Sequence, residues 1–102
     1  MTSSDRKAVW TAAERLESLA GRTTGGDWRI GGLLASRPEV ITHRADGSTE
    51  HVAEARQRTA AWIVVMSPAV AGPLAAVLRE AAAAPPDDTM LGLAKFLLER
   101  GP

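Results

Sequence analysis

The sequence predicts an α+β domain: an N-terminal helix, a small antiparallel sheet of about three strands with an Asp46-Gly47 hairpin, then three helices packed on the sheet. Three observations carry that prediction. Apolar residues recur at helical spacing before residue 21 and again after residue 53. Between those regions the pattern changes to extended, β-branched runs flanking an Asp-Gly pair. At 102 residues the chain has the length of one small domain, residues 1–102, with a modest core and little stability to spare.

Composition narrows the function classes. The hydrophobic content is 45%, but much of it is alanine, and large side chains are few: three Trp, one Phe and no Tyr. Those few should anchor the packing, because an aromatic buries far more surface than an alanine. Twelve basic and twelve acidic residues balance to zero, which removes the sequence-wide electrostatic case for nucleic acid or an anionic membrane. The absence of cysteine excludes a disulfide framework, a thiolate nucleophile and a zinc ribbon. The opening MTSSDRKAVW lacks the apolar core of a signal peptide, so a cytoplasmic location is expected.

The first helix is expected to be capped at Ser3, Ser4 or Asp5 and to reach about Ala20. Thr11, with Glu14 three residues on, is a second capping-box start. Val9, Ala12, Ala13, Leu16, Leu19 and Ala20 share one stripe, and Gly21 follows as a terminator. From Trp28 the period shortens. Trp28, Ile30, Leu33 and Leu34 read as a strand interrupted at Gly31-Gly32, where a bulge, bend or tight turn is expected. Neither a GxGxxG nor a P-loop pattern is present to make that glycine pair a phosphate cradle.

Taking Asp46-Gly47 as a two-residue type I′ loop fixes a register. Arg44 then faces Thr49, His43 faces Glu50, Thr42 faces His51 and Ile41 faces Val52. In that register the only two histidines point to opposite faces, so no shared metal ion is expected. Pro38 keeps the start of its strand at an edge or an end.

Residues 59–78 are twenty residues without a formal charge. They have the length of a membrane span. Ser67, Pro68, Gly72 and Pro73 break them, and core helices are expected instead. One helix begins near Ala53 or Glu54 and continues to Met66, its core stripe being Ala55, Thr59, Trp62, Ile63 and Met66, with Trp62 as anchor. Val64 and Val65 lie well off that stripe, so the helix needs cover on more than one side. Ser67-Pro68 starts the next, with a loose first turn before Pro73 and regular helix to about Ala83. Pro85-Pro86 ends it, and Asp87-Asp88 caps a last helix over residues 89–100. Met90, Leu91, Leu93, Ala94, Leu97 and Leu98 occupy nearly half its circumference, Phe96 lies on the flank, and Arg100 and Gly101 close it.

No catalytic constellation emerges. Asp87 and Asp88 suit a helix N-terminus better than acid–base chemistry. Ser36 and Ser67 lack the Gly-x-Ser-x-Gly setting of a nucleophile elbow. His43 beside Glu50 is explained by an exposed cross-strand pair. Arg44, Arg56 and Arg58 form a candidate basic patch at the hairpin base, able to meet a phosphate backbone, but Glu50 and Glu54 are interleaved with it. The helix–break–helix at Met66-Ser67-Pro68 is not read as a DNA-binding motif, because its second helix offers little beyond Arg79 and Glu80 to reach base edges.

Gly26-Asp27-Trp28, Ala60-Ala61-Trp62-Ile63 and Ser67-Pro68 together resemble the Ead-like proteins of phage early regions and related actinobacterial hypothetical proteins. The resemblance spans residues 26–83, and its motifs are short and structural. It departs at Gly72-Pro73 and in the extra C-terminal helix. It implies an accessory protein of mobile-element origin and brings no catalytic residue. The expected activity is therefore non-enzymatic, without cofactor, metal or membrane, acting through protein–protein contact as a homodimer, with nucleic acid as the less favoured partner. The candidate interaction surface is Val64, Val65, Met90, Leu93, Phe96 and Leu97, which exceed what a three-stranded sheet can cover.

Overall fold

The structure, a computed structural model, describes residues 2–31, 38–84 and 87–100. Its elements are α1 (Ser3–Arg22), β1 (Asp27–Gly31), β2 (Glu39–His43), β3 (Thr49–Glu54), α2 (Gln57–Val65), a 3-10 turn (Pro68–Val70), α3 (Ala71–Ala83) and α4 (Asp88–Arg100). The α+β class stands. The chain forms two compact units, residues 20–70 and residues 1–19 with 71–102. Each has its own logic.

The sheet unit is built on an antiparallel sheet of order β1-β2-β3. Central β2 buries Val40 and Thr42 and turns Glu39, Ile41 and His43 to its more open face. Thr42 is buried without penalty because its hydroxyl donates to the Gly25 carbonyl oxygen. Gly26 makes that approach possible. Its φ is +94°, and a Cβ there would overlap Thr42 Oγ1. Trp28 is half-buried, with Nε1 donating to the Thr24 carbonyl at 3.0 Å. The expected continuation of this strand through Gly32, Leu33 and Leu34 lies outside the described residues.

The hairpin register differs by one from the sequence expectation. Arg44 N–H donates to the Ser48 carbonyl at 3.0 Å, and Gly47 N–H to the Arg44 carbonyl at 3.0 Å. The loop is thus the three residues Ala45-Asp46-Gly47. A two-residue type I′ turn needs positive φ at both central positions, whereas only Gly47 has it, at +87°. Asp46 instead holds the loop by accepting from Ser48 N–H at 2.9 Å and Ser48 Oγ at 2.6 Å. His43 pairs with Thr49, Thr42 with Glu50 and Ile41 with His51; an irregularity then carries β3 past Val52, so that Val40 pairs with Ala53.

Helix α2 packs against β1 and β2. It starts later than expected, because β3 runs on through Glu54 and Ala55 N–H donates to the Pro38 carbonyl. Its sheet-facing side carries buried Ala60 with half-buried Ile63 and Val64. Trp62 is not the core anchor the sequence suggested: it is 67% exposed. Apolar residues on more than one side of this helix leave its rotation open, and small Ala60, not bulky Trp62, is the residue it buries completely.

The helical unit joins α1 to α3 and α4. Val9, Ala12, Ala13, Ala75, Leu78, Ala81 and Ala94 form its core, flanked by half-buried Leu16, Leu74, Met90, Leu91, Leu93, Leu97 and Leu98. Thus α3 and α4 bury apolar faces with α1. Arginines of α1 reach the C-terminal carbonyls of both neighbours: Arg6 to Ala82 at 3.5 Å and Arg15 to Leu98 at 3.0 Å. Those carbonyls lack helical partners and sit at the negative end of the dipole. The cap of α1 is Thr2, one residue before Ser3. Thr2 Oγ1 accepts from Asp5 N–H at 3.1 Å, and Asp5 Oδ2 accepts from Thr2 N–H at 3.0 Å.

Pro73 does not break α3. It stands in the first turn, after the 3-10 turn that follows Ser67, where its missing N–H costs nothing. Asp87 caps α4 as expected, with Oδ1 accepting from Thr89 N–H at 2.9 Å. Pro85, Pro86 and Gly101 lie outside the described residues. The apolar segment Gln57–Ala83 is long enough to cross a membrane, but the fold divides it into α2, the 3-10 turn and α3.

Candidate interaction surface

Exposure sorts the six predicted surface residues. Met90, Leu93 and Leu97 are half-buried against the helical core, whereas Phe96 is 51% exposed on the flank of α4. Val64 is half-buried on the sheet side of α2, and Val65 is 69% exposed. Val64 and Val65 belong to the sheet unit and the other four to the helical unit. Phe96 does not stand bare, since the Arg100 guanidinium lies 4.6 Å from its ring centroid.

The more exposed surface is one that stripe-counting missed. Half a turn away from Ala60, α2 presents Arg58, Trp62 and Val65, with Met66 at the helix end 45% exposed beside them. Trp62, Val65 and Met66 follow the i, i+3, i+4 spacing by which a helix offers one apolar face to a partner. The signal was present in the sequence as an apolar pattern on more than one side of the helix. What it lacked was the rotation.

The predicted basic patch is reduced. Arg44 is ion-paired with Glu50. Arg56 and Arg58 remain exposed at the start of α2, a helix that carries no acidic residue. Neither makes a side-chain ion pair among the described residues.

The shifted register corrects the placing of the histidines. His43 and His51 lie on the same face of the sheet, because His51 pairs with Ile41, two residues from His43. Glu50 pairs with Thr42 and not His43, so the predicted His43–Glu50 couple does not form. His51 Nδ1 instead meets Glu39 Oε2 at 2.9 Å. Among the described residues no three His, Asp or Glu side chains gather to hold a metal ion.

The shifted pKa values belong to structural contacts. Hydrogen bonds from Thr2 hold the Asp5 carboxyl below its ordinary value, and those from Ser48 do the same for Asp46. The hydrogen-bonded ion pair of Glu17 with Arg79 lowers the first and raises the second. None of these groups lies on α2. Comparison with protein-family models, curated proteins and solved structures returns no match.

Proposed function

We propose that this chain is a non-enzymatic, cytoplasmic accessory protein that works through protein–protein contact and self-associates. The observation that carries the reading is the outward face of α2, where Trp62, Val65 and Met66 stand exposed on a helix whose other side is already packed. Trp is the residue type most enriched where binding energy concentrates, and its exposure costs a small protein solubility unless a partner covers it. Placement among mobile-element accessory proteins rests on the resemblance across residues 26–83. Light scattering or sedimentation of the whole chain tests the reading. Self-association is expected at high micromolar concentration, and a monomer throughout that range removes it.

A second reading, a nucleic-acid-associated regulator, keeps Arg56 and Arg58 as its support, with Arg44 engaged by Glu50. It requires duplex binding at low salt that weakens steeply as salt is added.

A further inference from the structure

We propose that the α2 faces of two copies pair antiparallel about a two-fold axis, each copy placing Arg58 over Trp62 of the other; the inference rests on the self-association reading above. Its basis is how this chain treats its aromatic rings. Trp10 has the Arg79 guanidinium 4.8 Å from its ring centroid, and Phe96 has Arg100 at 4.6 Å. Trp28 is half-buried and donates its indole N–H to Thr24. Trp62 is the remaining aromatic and the most exposed of the four. Within the described residues it has neither a cation over its ring nor a partner for its indole N–H.

Its complement stands one turn away on the same helix face. Arg58 is exposed and makes no ion pair among the described residues. An arginine and a tryptophan four residues apart on one helix are self-complementary under two-fold rotation. Antiparallel pairing sets Arg58 against Trp62 of the second copy and Trp62 against its Arg58, two equivalent cation–π contacts from one surface. Val65 and Met66 continue the apolar face and exclude water at its margin. The absence of any carboxylate on α2 leaves the guanidinium free for the ring.

The experiment is sedimentation equilibrium of the whole chain and of Trp62→Ala, Arg58→Ala and the double variant, each checked for helical content by circular dichroism. Trp62→Ala is expected to weaken self-association about tenfold or more. Arg58→Ala should weaken it less, and the double variant should fall short of the product of the two effects, because each single change removes the same contact. Should Trp62→Ala lose helical content, Arg58→Glu carries the same test from a solvated position. Self-association unchanged by these variants overturns this pairing and leaves the self-association reading intact. A wild-type chain that stays monomeric overturns both. A monomeric wild type that sediments with phosphatidylglycerol vesicles, and loses this in Trp62→Ala, assigns the face to a bilayer surface instead.

Discussion

Thr42 and Gly26 show how one buried hydroxyl can set the requirements at a second position. Thr42 is fully buried on central β2, and its hydroxyl donates to the Gly25 carbonyl. Gly26 must hold φ at +94° and leave the space a Cβ would fill. Thr42→Val keeps the shape and deletes the donor. Because Gly25 is exposed and water can take over its carbonyl, the expected loss is about 1 kcal/mol. Gly26→Ala meets two costs at once, an unfavourable φ and a clash with the threonine hydroxyl, and should lose about 2 kcal/mol or more. Urea unfolding of the two variants checks the order. If Gly26→Ala proves the milder change, the close approach is not what holds this corner. Neither requirement was legible in the sequence, where Thr42 read as an ordinary strand residue and Gly26 entered through the Gly26-Asp27-Trp28 resemblance. The constraint lies in a contact across 17 residues, which local pattern does not encode.

At the scale of elements, capping and turn contacts link stability to acidity. Asp5 at the start of α1, Asp46 in the hairpin loop and Glu17 against Arg79 all have pKa values lowered in the folded chain. A carboxylate whose folded pKa is depressed contributes fully above its unfolded value, about 4 for these groups, and loses the contribution as pH falls through the folded value. The contribution of these three carboxylates should therefore be level from neutral pH down to about 5 and then decline through the range below about 4. Asp46→Asn keeps a side-chain acceptor for Ser48 while removing the titration, and should flatten part of that decline in a series of urea titrations. An unchanged acid limb would show that Asp46 contributes no linkage. Element existence and type were legible because they follow from period: α1, the hairpin, the Ser67-Pro68 break and the Asp87 cap all have local signatures. Phase and register were not. The hairpin slipped by one because Asp-Gly serves both a two-residue and a three-residue loop, and only the sign of φ at Asp46 separates them. The rotation of α2 stayed hidden because apolar residues lie on more than one side of it, and the side it buries completely is that of Ala60.

The whole molecule joins a locally wired sheet unit to a helical unit whose partners come from the two ends of the chain. Arg6 reaches Ala82 and Arg15 reaches Leu98, across separations of 76 and 83 residues. The buried helical core contains one leucine, one valine and five alanines, which allows close approach but removes little apolar surface from water per residue. Such a core predicts a narrow stability margin, and the most exposed aromatic, Trp62, lies outside it. Covering that face in an associated form would bring back part of the missing burial. Binding that favours the folded state adds stability by mass action, so the apparent melting temperature depends on protein concentration. For a self-associating wild type the midpoint should rise steadily over about a hundredfold range of concentration, whereas in Trp62→Ala the rise should shrink or vanish. Differential scanning fluorimetry or calorimetry at matched concentrations reads both. A midpoint that is independent of concentration in the wild type would mean that each copy is stable alone, and that the thin alanine core is sufficient without the cover α2 invites.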